Sequence, residues 1–277
     1  MGAVLALLSA LTYGAGDFFG GLSSRKIPTL WLLVIAQPIS AIAMIPVCLA
    51  IGGSPTGRDV WLMALAGAFV ATGLVLLYQG LAVGPMGVVA PTVAVVSALI
   101  PVMWGLASGD ELSIVTTAGV VLAVVSVAVI SRVESDGRPL SGRGLLLAGL
   151  AGIGFGGTFI AFDEASDTSG LWPAALQRGF AMVAALVAVR VLAIAPPRRA
   201  DLPWKLVLAN SGFDAAGMSF FLLATREGMV SVVSVLAALY PASTVGLAVV
   251  VLKERFTPAQ LFGVALAAAA VIAIVVG

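Results

Sequence analysis

Histidine is absent from the 277 residues of this sequence, and cysteine occurs once, as Cys48. Without histidine the chain lacks the commonest metal ligand and the usual general base near neutral pH. A single cysteine cannot form an intramolecular disulfide, which excludes a fold stabilised in that way. Metal centres built on histidine and histidine-dependent catalysis are therefore excluded, and we expect no cofactor.

Charged residues are also scarce. They make up 10% of the chain, whereas hydrophobic residues make up 61%. A soluble domain has about 25% charged residues, so this chain has too few of them to cover a surface that faces water. The net charge of +1 excludes a strongly basic surface for nucleic acid. The composition indicates an integral membrane protein.

The apolar residues form ten long runs separated by short turns. A spanning helix needs roughly 20 apolar residues, and lipid leaves the backbone only helices or closed barrels. These runs lack the alternation of barrel strands. We predict an all-α polytopic protein; the first run lacks the basic flank of a signal peptide and is expected to be retained. The predicted helices lie near Ala3–Gly21, Thr29–Ile51, Val60–Leu81, Met86–Ala107, Leu112–Ile130, Gly144–Phe162, Gly170–Ile194, Pro203–Leu223, Val230–Leu252 and Pro258–Val276.

Two related halves are predicted, residues 1–131 and 144–277, joined by a polar linker at 132–143. The similarity has a nearly constant offset, as divergence of a repeat produces. Because each half has five helices, equivalent loops face opposite sides of the membrane. Such inverted repeats are a recurring design of transporters. The matching pairs are Tyr13-Gly14 with Phe155-Gly156, Trp31 with Trp172, Trp61 with Trp204, and Gly73 with Gly217.

The distribution of lysine and arginine predicts the orientation. Short cytoplasmic loops carry the excess of these residues. The even-numbered loops carry only Arg58 and Arg226. We therefore expect odd loops in the cytoplasm and both termini outside a cytoplasmic membrane. The odd-numbered loops carry Arg25, Lys26, Arg132, Arg138, Arg143, Arg198, Arg199, Lys205, Lys253 and Arg255.

Ionisable groups inside the predicted helices are candidates for function, because each costs roughly 2.5–3.5 kcal/mol at membrane depth. Arg178 could bind an anionic group, and Asp17 or Asp214 could bind an amine or carry a proton. Alternatively, these groups pair with each other and only hold helices together. The candidate substrate-binding residues are Tyr13, Asp17, Gln37, Tyr78, Gln79, Trp104, Arg178, Asn210, Asp214 and Tyr240, and the candidate gating prolines are Pro101 and Pro241.

The sequence resembles the EamA-type ten-helix carriers of the drug/metabolite transporter superfamily. The resemblance is carried by the aromatic-Gly pairs named above, by Arg178, and by a proline-bearing fourth helix in each half followed by an acidic turn (109–113 and 253–258). It implies two inverted five-helix bundles around a central cavity, with alternating access. The chain departs from the pattern at Gln37, which takes the first-half position equivalent to Arg178.

A secondary transporter that exports a small amino-acid-like or drug-like metabolite is the function we expect. Its partners would be a small-molecule substrate, the bilayer and possible coupling protons. No P-loop motif is present, which argues against direct use of ATP. A lipid flippase and a non-transporting membrane scaffold stay open as alternatives. We find no constellation of residues for an intramembrane enzyme.

Overall fold

The structure is a computed structural model and describes residues 1–107, 113–132, 142–227, 236–237, 239–253 and 257–276. In these segments ten α-helices follow one another, with single 3₁₀ turns at Asp167–Ser169 and Arg199–Asp201. The all-α fold predicted from the sequence is confirmed. The helices are α1 (Gly2–Ser24), α2 (Thr29–Ile51), α3 (Gly57–Val83), α4 (Met86–Ala107), α5 (Ile114–Arg132), α6 (Gly142–Asp163), α7 (Trp172–Val191), α8 (Trp204–Glu227), α9 (Tyr240–Leu252) and α10 (Pro258–Val276).

Seven of the helices within the described residues are long and apolar enough to cross a bilayer. They are α1 to α4 and α6 to α8. The shorter apolar stretches Ile114–Ser126, Tyr240–Leu252 and Leu261–Ile274 belong to α5, α9 and α10. The predicted start of the ninth helix at Val230, the acidic turns at 109–112 and 254–256, and most of the linker lie outside the described residues.

Local chemistry explains several helix ends. The Thr56 hydroxyl accepts a hydrogen bond from the backbone N–H of Asp59, and the Asp59 carboxylate accepts one from the N–H of Thr56, which is a complete capping box at the start of α3. Pro173 lies in the first turn of α7, where its missing N–H costs nothing. The backbone of Gly52 has φ +80°, a conformation that suits glycine and ends α2.

The packing of the helices is symmetric between the halves. The first helix of each half packs against the third helix of the other, as α1 with α8 and α6 with α3. In the same way, the contact of α4 with α6 in one half corresponds to that of α9 with α1 in the other. The contacts of α2 with α7 and of α5 with α10 each join equivalent helices of the two halves. The two five-helix repeats are therefore related by a pseudo-two-fold axis and run in opposite directions through the membrane.

Residues that match between the halves make equivalent contacts. A side chain added at Gly73 would meet the Phe155 ring at 3.3 Å, and one added at Gly217 would meet the Tyr13 ring at 2.9 Å. These are the glycine and aromatic positions that the repeat analysis pairs. Close approach of α3 to α6 and of α8 to α1 thus depends on the same small-against-aromatic packing in both halves.

Contacts between loops show which helix ends share a face. The N–H of Ser54 donates to the carbonyl of Thr168 at 3.0 Å, and Arg58 forms an ion pair with Glu164 at 2.5 Å. These residues lie where α2 and α6 end and where α3 and α7 begin. α1 begins and α10 ends on this same side, which we call the terminal face. At the opposite face, the Trp31 indole N–H donates to the carbonyl of Ile194 at 3.1 Å.

The largest apolar core lies toward the opposite face. Phe18, Leu32, Leu33 and Leu81 are fully buried there, and Leu77 is 2% exposed. They come from the second half of α1, the first half of α2 and the end of α3. This packing closes the protein on the opposite face.

Candidate functional site

A chamber of about 1150 Å³ lies between the two halves. It extends from the middle of the helices to the terminal face, where Ser113, Ser166 and Gly170 line it. Every one of the ten helices contributes at least one lining residue. The chamber is therefore a shared central space and not a groove within one half.

The chamber has apolar walls and a polar floor. Phe155, Phe159, Phe162 and Phe221 line the walls. The lining charges and glutamines lie at the end that is deepest in the protein, together with Tyr13, and they are contributed by α1, α2, α7 and α8. They are Tyr13, Asp17, Gln37, Gln177, Arg178 and Asp214.

An ion pair between α7 and α8 lies at this floor. The Nε of Arg178 donates to Oδ2 of Asp214 at 2.8 Å, and its Nη2 donates to Oδ1 at 3.1 Å. The contact is bidentate, the strongest geometry for this pair. The Arg178 side chain is 5% exposed and that of Asp214 is 29% exposed. The cation is thus buried behind the carboxylate that faces the chamber.

The other partners of this pair come from α2 and α7. The Ser40 hydroxyl donates to Oδ2 of Asp214 and accepts from Nε of Arg178 at 3.1 Å. Nη1 of Arg178 donates to the carbonyl of Ala174 at 3.0 Å. Because Asp214 already neutralises Arg178 through a bidentate contact, an anionic ligand would have to compete with Asp214 for the guanidinium. Arg178 and Asp214 pair with each other and both line the chamber, so both interpretations of these two charges stay open.

Asp17 differs from Asp214. It is half-buried, it lines the chamber, and no hydrogen bond or ion pair joins its carboxylate to the part of the chain that the structure describes. The carboxylate of Asp214 lines the same niche and chamber, so a second acid lies near Asp17. Asp17 is therefore an acid without a protein partner at the floor of the chamber.

Beneath the floor lies a small niche of about 30 Å³, which offers room for about two water-sized groups. The niche and the chamber share Tyr13, Asp17, Gln37, Leu74 and Asp214 as lining residues, so they adjoin each other. Gln37 is 7% exposed, and its Oε1 atom is buried without a hydrogen-bond partner. Buried polar atoms of this kind are uncommon and call for an explanation.

Close helix approach positions the niche. A side chain at Gly16 would lie 3.3 Å from the backbone N of Asp214, so α1 and α8 touch at this point. A side chain at Gly20 would collide with the ring of Tyr78. The amide of Asn210 joins the three helices by donating to the carbonyl of Gly16 at 2.9 Å and to the hydroxyl of Tyr78 at 3.0 Å.

The predicted site residues divide into three groups. Tyr13, Asp17, Gln37, Arg178, Asp214, Tyr240 and Pro101 line the chamber, and Tyr78 and Asn210 line the niche. Pro241 is buried at the start of α9 without lining either space.

Gln79 and Trp104 line neither space. Gln79 is exposed on α3, and Trp104 is 55% exposed on α4. The two helices are apolar over most of their surface, so little in their sequence indicates which face points inward. The structure therefore does not bring these two residues together with the other candidates.

Two functional positions were missed by sequence reasoning. Ser40 escaped notice because a single serine in an apolar helix is common. Its spacing of three residues from Gln37, which places both on one face of α2, is the signal that could have revealed it.

The second missed position, Asp59, joins the halves at the terminal face. Its side chain accepts from the backbone N of Ser166 at 2.8 Å and from the hydroxyl of Ser169 at 2.6 Å, in addition to both donors of Thr56. The residue is 1% exposed. The Thr56-x-x-Asp59 spacing predicts a helix cap, but it does not indicate that Asp59 also accepts hydrogen bonds from residues of the other half.

The comparison with protein families decides what the protein is. A model described as the EamA-like transporter family matches residues 1–132 and again residues 142–276. The chain belongs to the EamA-like transporter family. This EamA-like protein is therefore a multi-pass membrane transporter and not an enzyme, as the sequence predicts.

Solved structures support the fold of this EamA-like protein. One crystal structure of a protein is similar over 98% of this chain and 95% of that chain, with a TM-score of 0.63 and 17% sequence identity. At this identity the likeness concerns the fold alone. No curated protein matches the chain in sequence.

Proposed function

We propose that this EamA-like protein is a secondary carrier that moves a small amphipathic solute across the cytoplasmic membrane by alternating access. The observation that carries the proposal is the chamber of about 1150 Å³, which reaches the terminal face and ends at a polar floor deep in the protein. A carrier needs such a space, open to one compartment at a time.

Closure at the opposite face supports the same proposal. Phe18, Leu33 and Leu81 pack there without exposed surface, beyond the floor residues Asp17 and Gln37. A polar solute in the chamber therefore meets an apolar barrier before it can reach the other compartment. A permanently open channel would lack this barrier.

The pseudo-symmetry supplies a route to the second state. Among the described residues, the extensive helix pairs between the halves have counterparts in which the two halves exchange roles, except for α4 with α10. A rearrangement that exchanges the two sets of contacts would close the terminal face and open the opposite one. Such an exchange needs no new type of contact, only those already present in the other half.

The lining indicates the class of solute. Pockets for drug-sized molecules measure about 300–1000 Å³ and combine apolar walls with a few polar groups. The chamber of about 1150 Å³ agrees with this pattern through its phenylalanine walls and charged floor. An amino-acid-like or drug-like solute fits these properties.

Direction and coupling form the finer part of the proposal. The excess of lysine and arginine in odd loops favours an outward-facing terminal face, so the chamber would open to the exterior. Export would then be driven by inward movement of protons. Asp17 is the candidate proton carrier, because its half-buried carboxylate lines the chamber and has no counter-charge in the part of the chain that the structure describes.

Reconstitution into liposomes tests the proposal. A carrier catalyses saturable uptake of one solute and accelerates it when the vesicles are loaded with the same solute. Ala98→Trp, which places a large ring in the chamber lining, should abolish this counterflow, while Trp104→Leu on the outer surface should leave it unchanged. Counterflow that survives Ala98→Trp would contradict transport through the chamber.

The same vesicles distinguish the alternatives. Net movement of labelled lipid without any solute flux would favour a flippase and would refute the carrier. Absence of both activities across a panel of amino acids, amines and sugars would favour a scaffold.

A further inference from the structure

We propose that the niche formed by Asp17 and Gln37 is the binding site for the protonated amino group of the solute, and that the apolar remainder of the solute lies in the chamber above. The role of this site in transport rests on the proposed carrier function. Binding of an amine at the site can be tested without transport.

The first argument is the supply of unused acceptors. The Asp17 carboxylate has no partner in the part of the chain that the structure describes, and Oε1 of Gln37 is buried without one. A buried acceptor without a donor costs free energy, which a ligand with N–H groups would recover. Both residues line the same niche of about 30 Å³. A primary ammonium group has three N–H donors and the size of about one water molecule.

The second argument is charge. Arg178 is already neutralised by the bidentate contact with Asp214 and is absent from the niche lining. Besides Asp17, the charged side chain in the niche lining is Asp214 on α8. The lining hydroxyls belong to Tyr13, Ser40, Tyr78 and Ser211, and Tyr240 of α9 lines the chamber beside Asp17. The niche therefore carries one carboxylate more than it has cations, which favours a cation over an anion or a neutral group.

The third argument is the connection to the chamber. Five residues line both spaces, so a group held in the niche can be attached to a body in the chamber. The chamber walls carry Phe155, Phe159 and Phe221. A cationic head with an apolar tail satisfies both parts of the site, whereas a bare inorganic cation leaves the apolar walls without a ligand.

The experiment measures binding to the purified full chain in detergent micelles. The probe is 2-phenylethylamine, compared by equilibrium dialysis with its uncharged analogue 2-phenylethanol and with the anion 3-phenylpropanoate. We expect the amine to bind at least about 10-fold more tightly than the alcohol, since a charge-assisted hydrogen bond is stronger than a neutral one. The anion should bind more weakly than either.

Two variants and one matched control locate the site. Asp17→Asn should remove the preference for the amine while leaving affinity for the alcohol within about twofold, which also shows that the variant is folded. Gln37→Leu should weaken amine binding by about 3- to 10-fold. Gln79→Leu changes another glutamine of a membrane helix that faces away from the chamber, and it should change nothing.

Each outcome decides the inference. Equal affinity for amine and alcohol, or a preference that persists in both Asp17→Asn and Gln37→Leu, overturns it. The inference is also overturned if sodium ions displace the amine saturably and only when Asp17 is present, and if the apolar tail of the amine does not change its affinity. That result assigns the niche to an inorganic cation. Amine binding without flux in liposomes supports the site and refutes the carrier, and counterflow of another solute without amine binding does the reverse.

Discussion

Replacing Asp214 with alanine would leave the buried guanidinium of Arg178 without its counter-charge. Arg178 is 5% exposed and loses both hydrogen bonds to the carboxylate oxygens, while its hydrogen bond to Ser40 can persist. Removing one partner of a buried ion pair costs about 3–5 kcal/mol, because arginine cannot give up its proton.

The reverse change should cost less. In Arg178→Met the remaining carboxylate is 29% exposed and faces the chamber, so it can be hydrated or take up a proton. We expect a loss of about 1–3 kcal/mol, the range for an unpaired polar group. In the double variant Arg178→Met/Asp214→Ala both charges are gone, and its stability should lie within about 1 kcal/mol of the parent protein.

Reversible unfolding by SDS in mixed micelles, followed by circular dichroism, measures all four proteins of this double-mutant cycle. We expect the parent and the double variant to be the most stable, Arg178→Met to be less stable, and Asp214→Ala to be the least stable. A loss in Arg178→Met equal to or greater than that in Asp214→Ala would refute the argument from the buried cation. A double variant less stable than both single variants would refute it as well.

Three further predictions concern packing, the terminal face and orientation. Gly20→Val should destabilise the protein by about 1–3 kcal/mol by collision with Tyr78, whereas Gly149→Ala, which meets open space, should be neutral in the same SDS titration. Asp59→Ala should cost about 1–3 kcal/mol through lost partners in both halves, and Arg58→Ala, in an exposed ion pair, under about 1 kcal/mol; equal losses would contradict the assignment. Alkaline phosphatase fused after the last residue should be active in cells and a fused green fluorescent protein should be dark, and the opposite result would invert the topology.

The bounds of the helices could be predicted closely because the lipid environment determines them. α2 and α10 begin and end at the predicted residues, Thr29–Ile51 and Pro258–Val276. Lipid forces every backbone group into an internal hydrogen bond, so a long apolar run has one available structure. α8 extends to Glu227, four residues beyond the predicted end at Leu223, because its last turn continues past the apolar run.

The repeat could also be recognised from the sequence, since small and aromatic residues recur where the halves touch. Gly73 and Gly217 were paired by offset alone, and each packs against the aromatic residue that the same alignment pairs. Packing of this kind can be recognised in the sequence because it needs a small residue opposite an aromatic one.

The inward faces of the helices could not be predicted. A helix that is apolar on all sides gives no periodic signal, so Trp104 on the lipid side and Tyr13 at the chamber looked equally suitable. The partner of Arg178 could not be predicted either, because several acids were available. The packing of α7 and α8 against α2 brings Arg178 and Asp214 together. Side-chain partners across 36 residues of sequence depend on tertiary contacts that no local pattern encodes.

Accessibility of one cysteine in the chamber wall tests the alternating chamber most directly. In a Cys48→Ala background, Ser97→Cys adds a thiol to the chamber lining, and Ser126→Cys adds one to the buried side of α5 as a control. In oriented membrane vesicles, a membrane-impermeant maleimide should label position 97 when added at either face and should label position 126 from neither. Labelling of position 97 from one face only, with the protein actively exchanging solute, would contradict a chamber that alternates between the two compartments.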